Sequence, residues 1–217
     1  MIKLSEIKWI GFDVDGTLYP NSSEINDRIR EEISKKILEK KPELENIESA
    51  KNYFEEEYKT LGSGSKILRK IGYDNPNKVM DFCQVNAEVT DLIEPNPKLA
   101  EIMLQLKNKY NLFLLSSSPE RLTLKKLKKI GIGPEYFSIT VYNDTPNCGS
   151  KSDGTAFDFT LRKINCPVEN QIYIGDSLKK DILPAKKRGM KTIAVGSTIE
   201  EADISILNIN ELGRILL

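Results

Sequence analysis

The sequence predicts an α/β fold: a parallel sheet covered by helices on both faces, with a separate all-helical insert after the first strand. Three observations carry this expectation. From Leu112 onward, short apolar runs alternate with stretches of helical period, the pattern of repeated strand–helix–strand units. Between Tyr19 and Tyr110 no strand pattern occurs, only helical periodicity. Asp and Ser residues collect just past the ends of the apolar runs, where parallel sheets bind their ligands.

In chain order, KWIGFDVDGTLY at 8–19 opens with a strand built on Ile10 and Phe12, and Gly16 lets the chain bend after it. Ile25, Ile29, Ile33 and Ile37 then recur every four residues, with Arg28, Glu31, Glu32, Lys35 and Lys36 on the other faces, which predicts a helix from Ser22. A second helix is expected over 47–61, broken by the GSGS at 62–65, with further helical segments over 66–71 and 77–89. Asn96-Pro97 reads as an N-cap and first helical residue, opening a helix to about Lys109. The helical insert is therefore placed at 20–94 and the α/β core at 1–19 and 95–217.

LFLL at 112–115 is the next strand. It ends in Ser116-Ser117-Ser118-Pro119, where Ser118-Pro119 reads as a cap and the start of a helix over 120–130 that Gly131 stops. Strand alternation over 137–142, a helix over 153–164 and an apolar strand over 172–174 follow. The predicted chain closes with a helix over 178–188, a strand over 191–195 and an edge strand over 204–207.

Composition narrows the function. Of 217 residues, 39% are hydrophobic and 29% charged, a globular balance. Lys+Arg and Asp+Glu both total 32, so nothing favours nucleic acid as a partner. No apolar run approaches the ~20 residues of a membrane span, and the N-terminus enters the first strand without a leader-type apolar core. Three widely spaced cysteines, Cys83, Cys148 and Cys166, argue against a disulfide framework and for a cytoplasmic location. The chain has no histidine, which excludes His-based triads, metal sites and general bases. Chemistry must run on Asp, Lys, Ser, Thr or Cys.

Asp13 and Asp15 sit two apart just past the first apolar run, on one side of extended backbone. Two carboxylates so placed repel unless a cation lies between them, and a hard divalent ion with oxygen ligands, Mg2+ first, fits. The plain alternative for two such Asp residues is an acidic exposed turn.

The longer string DVDGTLYP resembles the first motif of the haloacid dehalogenase superfamily, whose members are mostly Mg2+-dependent phosphatases. The resemblance implies a Rossmann-like parallel core with a helical cap. It implies Asp13 as the nucleophile that forms an aspartyl-phosphate, and Asp15 as general acid and base. Three further motifs follow in order. Ser116 after LFLL matches the second, a phosphate-binding hydroxyl; Ser117 stands beside it where relatives often have Asn. Lys151 in KSDGTAF matches the third, with Ser152 and Gly154 replacing two prolines, and its ammonium would offset charge on the nucleophile and phosphoryl oxygens. Asp176 and Asp181 in GDSLKKD match the fourth. The resemblance implies a cation held by Asp13, the backbone carbonyl of Asp15, and Asp176, with Asp181 as a further or water-bridged ligand.

The cap stretch FEEEYKTLGSGSKIL and the DLIEPNPKL that follows it resemble pyrimidine 5′-nucleotidase-type members. That implies nucleoside 5′-monophosphates as substrates, with Tyr58, Gly62 and Lys66 as specificity contacts. The alternatives are a sugar-phosphate or phosphoglycolate phosphatase, a phosphomutase, or a non-catalytic phosphometabolite-binding protein on the same fold. The expected partner is a small phosphorylated metabolite, with the protein a monomer or weak homodimer.

Overall fold

The computed structural model describes residues 3–217. The chain divides into two compact units. One comprises the described residues up to Asn21 together with Ile93–Leu217, and the other is Ser22–Leu92.

The first unit is built on strands β1 (Trp9–Phe12), β2 (Asn111–Leu115), β3 (Ile139–Val141), β4 (Gln171–Gly175), β5 (Lys191–Val195) and β6 (Ile204–Ile206). They form one six-stranded sheet in the order β3-β2-β1-β4-β5-β6. Every pairing is parallel, with Phe12 opposite both Leu114 and Ile174. Strand β1 thus lies at the centre, and its exit is flanked by the exits of β2 and β4. Central parallel strands are buried on both faces, so they read as continuous apolar runs. Ile10, Phe12, Leu114, Ile172, Tyr173 and Ile174 are all fully buried. Below the sheet exits, Phe113, Tyr173 and Phe157 pack together, the last two edge-to-face at 4.7 Å.

The connecting helices of this unit are α5 (Pro97–Lys109), α6 (Glu120–Ile130), α7 (Thr155–Leu161), α8 (Leu183–Lys186) and α9 (Leu212–Leu216), following α1–α4 of the other unit. Asn96 caps α5, accepting from Leu99 N at 3.0 Å. Helix α7 is shorter than the 153–164 pattern suggests. Gly154 takes a left-handed φ of 87°, and the Asp153 carboxylate accepts from Thr155 N at 2.9 Å, so the helix starts only there. The expected helix over 178–188 is a wide π-turn, Leu178–Ile182, running into the short α8. Pro184 in its first turn removes one backbone donor. Strand β3 is cut to three residues because Phe137 closes the turn Pro134–Tyr136 instead of pairing.

The second unit contains α1 (Ser23–Lys40), α2 (Ile47–Leu61), α3 (Gly64–Lys70) and α4 (Pro76–Asn86). Its own core gathers Ile33, Ile37, Ala50, Phe54, Ile67, Leu68 and Cys83. Ser22 and Asn46 cap α1 and α2 through their side chains. Helix α4 stops at Asn86, short of the expected 89, and Glu88 just beyond it has positive φ. Helix α3 starts earlier than the glycines suggest: Gly62 breaks the chain at φ 63°, but Gly64 is helical and faces Met80. All three cysteines are free thiols. Among the described residues, no helix is long and apolar enough to cross a membrane.

Candidate active site

Asp13 is the first residue past β1, and its backbone N–H continues the ladder by donating to Ile174 O at 2.9 Å. Its side chain is held at the head of the sheet's central strand with 4% exposure. Gly16 then turns the chain with φ 82°, a conformation that side chains disfavour. A Cβ at Gly16 would also strike the Asp176 carboxylate, so a glycine lets the β1 and β4 exits approach. Gly175, the last residue of β4, is needed for the same reason, since a Cβ there would strike Asp181.

These approaches bring Asp13, Asp176 and Asp181 together. Each offers a carboxylate oxygen, and the three oxygens lie within 4.8 Å of one another. Lys151, from the loop before α7, sits among them with its Nζ 2.5 Å from both Asp13 Oδ1 and Asp181 Oδ1. The ammonium lies 5.5 Å from the centre of the buried Tyr173 ring, whose hydroxyl donates to Leu115 O at 3.2 Å. Asp181 Oδ2 is taken by Ser177 N at 3.0 Å. Its Oδ1 has no aligned hydrogen-bond donor despite being buried.

The charges set the protonation states. Burial is the largest influence on Asp13 and lifts its carboxyl to about 7; Lys151 opposes this, and Asp181, Asp15 and Asp176 reinforce it. Asp176 is raised to about 6, again first by burial and then by Asp181. Burial alone would push the Lys151 ammonium down, but Asp13 and Asp181 hold it well above the ordinary lysine range. Three carboxylates gathered at one point, all offering hard oxygen donors, with Asp13 and Asp176 disfavoured by burial from ionising, fit a cation such as Mg2+.

Asp15 faces a different environment. Its Oδ1 accepts from Lys126 Nζ at 2.5 Å and from the Tyr19 hydroxyl, and its Oδ2 accepts from Ser118 Oγ at 2.7 Å. Burial would raise this carboxyl, but the charge and hydrogen bond of Lys126, with the bonds from Tyr19 and Ser118, pull it down to about 2. One carboxylate is held high at the head of β1 and its neighbour low, a separation suited to two different roles.

Residues 10–195 match the family described as haloacid dehalogenase-like hydrolases. This chain belongs to that family. Among its relatives, a glyceraldehyde 3-phosphate phosphatase of Methanocaldococcus jannaschii is 28% identical over 97% of this chain and 96% of its own. One from Methanopyrus kandleri is 28% identical over 87% and 84% of the two chains. A crystal structure of a Thermococcus onnurineus phosphatase shares the fold, with TM-score 0.67, 20% identity, and coverage of 97% of this chain and 98% of that one.

In this hydrolase, Asp13, Asp15, Ser116, Lys151, Asp176 and Asp181 all come to the exits of β1, β2 and β4 or the loop before α7. Ser116 is buried, accepting from Ser118 N at 3.0 Å and sharing a 3.2 Å bond with Thr123 Oγ1. Ser117 is half-buried beside it. Tyr58, Gly62 and Lys66 belong to the helical unit: Tyr58 is exposed and its ring lies 5.4 Å from that of Phe54, Gly62 closes α2, and Lys66 is exposed on α3.

One expectation is corrected. Ser118 does not cap α6; Pro119 holds that position without a side-chain cap, and Glu120 N is met by Asp144 Oδ1 at 3.0 Å. The Ser118 hydroxyl goes to Asp15 instead. The sequence alone gives Ser118 only a capping role, and it gives Tyr19, Lys126 and Tyr173 no place in the site. For Lys126 the pattern does hold a clue: it falls four residues after Leu122 and four before Ile130, on the apolar face of α6.

Proposed function

We propose that this hydrolase cleaves phosphomonoesters with Mg2+ through an aspartyl-phosphate on Asp13. The observation that carries the reading is the pair of carboxylates at the head of β1. Asp13 lies buried against Lys151 and two further acids, and Asp15 is held apart by three donors. Asp13 attacks phosphorus, and Asp15 gives its proton to the departing oxygen. Water, relieved of a proton by Asp15, then releases phosphate from Asp13. In the free protein Asp15 is ionised, the form the second step needs. A phosphate dianion beside it adds like charge and favours the protonated form that the first step needs. Lys151 and the Ser116 hydroxyl bind phosphoryl oxygens. Asp13, Asp176, Asp181 and the Asp15 carbonyl would hold Mg2+, which supplies a positive centre for the transferring oxygens. Ser117 adds a second hydroxyl at the β2 exit, and residues 22–92 serve as a cap that selects the leaving group.

The substrate reading favours a small phosphorylated sugar, because both methanogen relatives are named for a three-carbon sugar phosphate and one matches nearly end to end. Nucleoside 5′-monophosphates are the second reading, favoured by the exposed Tyr58 ring, which offers a face for a base. The test is phosphate release with Mg2+ from glyceraldehyde 3-phosphate, phosphoglycolate, hexose phosphates and nucleoside 5′-monophosphates. Highest kcat/KM on a short sugar phosphate supports the first reading, and highest on a nucleotide replaces it with the second. No release from any ester overturns the hydrolase reading.

A further inference from the structure

Lys126 is the feature that the motifs leave unexplained. It projects from the apolar face of α6, among Leu122, Leu127 and Ile130, and its side chain is 3% exposed. Burying a lysine costs rotamer freedom and the hydration of its ammonium, and a buried ion pair seldom repays this in stability. A leucine or methionine would suit such a helix position better if packing alone were at stake. The ammonium is spent on one target: Nζ lies 2.5 Å from Asp15 Oδ1 and 3.1 Å from Ser118 Oγ. Ser118 in turn donates to Asp15 Oδ2, and Tyr19 donates to Oδ1. Both carboxylate oxygens are therefore fixed, by groups from the β1 exit, the β2 exit and α6.

We infer that Lys126 is a positioning residue that, with Tyr19 and Ser118, pins the Asp15 carboxyl in the orientation proton transfer requires. The inference rests on the reading of Asp15 as acid and base. In the first step the Asp13 oxygen–phosphorus bond forms and the bond from phosphorus to the leaving oxygen breaks. The Asp15 proton passes to that oxygen, leaving a carboxylate held by the same donors. In the second step the water oxygen–phosphorus bond forms, the Asp13–phosphorus bond breaks, and one water proton returns to Asp15. A carboxyl free to rotate would meet neither oxygen reliably, and an error on the order of 1 Å in placement costs on the order of 100-fold.

The test compares two esters by kcat/KM, which reports only the steps through phosphoryl transfer to Asp13. An alkyl phosphate needs a proton on its leaving oxygen; p-nitrophenyl phosphate scarcely does. Lys126→Met is expected to lower kcat/KM for the best alkyl ester by about 100-fold and for p-nitrophenyl phosphate by less than about 10-fold, within the range of general-acid effects. Tyr19→Phe should show the same contrast, smaller, and Lys126→Arg should recover some of the alkyl-ester rate. If Lys126→Met does not fold, Lys126→Gln, whose neutral and shorter side chain lacks both the charge and the full reach of lysine, is read the same way. Proportional losses on both esters, or no loss on either, overturn the inference. Asp15→Asn separates the two layers. If it discriminates between the esters and the Lys126 variants do not, only the positioning inference fails. If Asp15→Asn does not discriminate, the acid–base reading fails and the inference falls with it.

Discussion

Replacing Asp13 by its amide should make the metal-free protein more stable at alkaline pH. In the fold the Asp13 carboxyl rises from an ordinary 3.8 to about 7, with burial the largest cause. A carboxyl raised in this way holds its proton in the native state more tightly than in the unfolded chain. Its contribution to stability is full below 3.8 and is lost as the pH climbs through about 7. At about 1.36 kcal/mol per pH unit, ionising Asp13 costs the fold up to about 4 kcal/mol. The amide of the variant has no such charge to carry, and Lys151 keeps its other partner, Asp181, at 2.5 Å. Asp13→Asn is therefore expected to be about 2–4 kcal/mol more stable at about pH 8 in chelator, a Tm increase of about 5–10 °C for a chain of this size. The gap should shrink by more than half by about pH 5, where the wild-type side chain is protonated in the fold. Added Mg2+ should narrow it from the other side, since the ion binds the charged carboxylate more tightly than the neutral amide. Thermal unfolding of both proteins at the two pH values, with and without Mg2+, reads all three effects. An equal or lower Tm for Asp13→Asn at about pH 8 in chelator would refute the reasoning.

Activity should disappear in EDTA and return with Mg2+ more readily than with Ca2+, whose larger and looser shell misplaces the nucleophile; full activity in chelator would rule out the metal reading. Selection by the helical unit is read through Tyr58→Ala and Lys66→Ala. Each should raise KM for the best substrate of the panel while leaving p-nitrophenyl phosphate nearly unchanged, and equal losses on both would assign these side chains to folding instead.

What the sequence discloses about this molecule follows a physical divide. Strand exits were legible because central parallel strands must be apolar throughout: LFLL ends at Ser116, and YIG ends at Asp176. Helices 47–61 and 120–130 were legible from period and from glycine stops. Local hydrogen bonding decided where the expectation ran long. Asp153 reaching Thr155 N shortens α7, and the Asp181 carboxylate meeting Ser177 N accompanies the π-turn. The clamp on Asp15 was not legible. Lys126 lies 111 residues from Asp15, and a lysine on a helix reads as solvated until a distant partner draws it inward. Ser118 was ambiguous for a related reason, since Ser before Pro is as good a cap as it is a donor. Tyr173 read as a strand residue, and only the fold sets its ring near Lys151.

The central claim is that Asp13 carries the phosphoryl group, and it is tested most directly by acid-quenching the enzyme during turnover and locating the adduct by peptide mass spectrometry. The account predicts one phosphoryl group on the peptide containing Asp13, lost on hydroxylamine treatment and absent from Asp13→Asn. In Asp15→Asn it should persist longer, because the base that activates water is gone. Turnover with no adduct on Asp13 at any quench time, or an adduct on another residue, would contradict it.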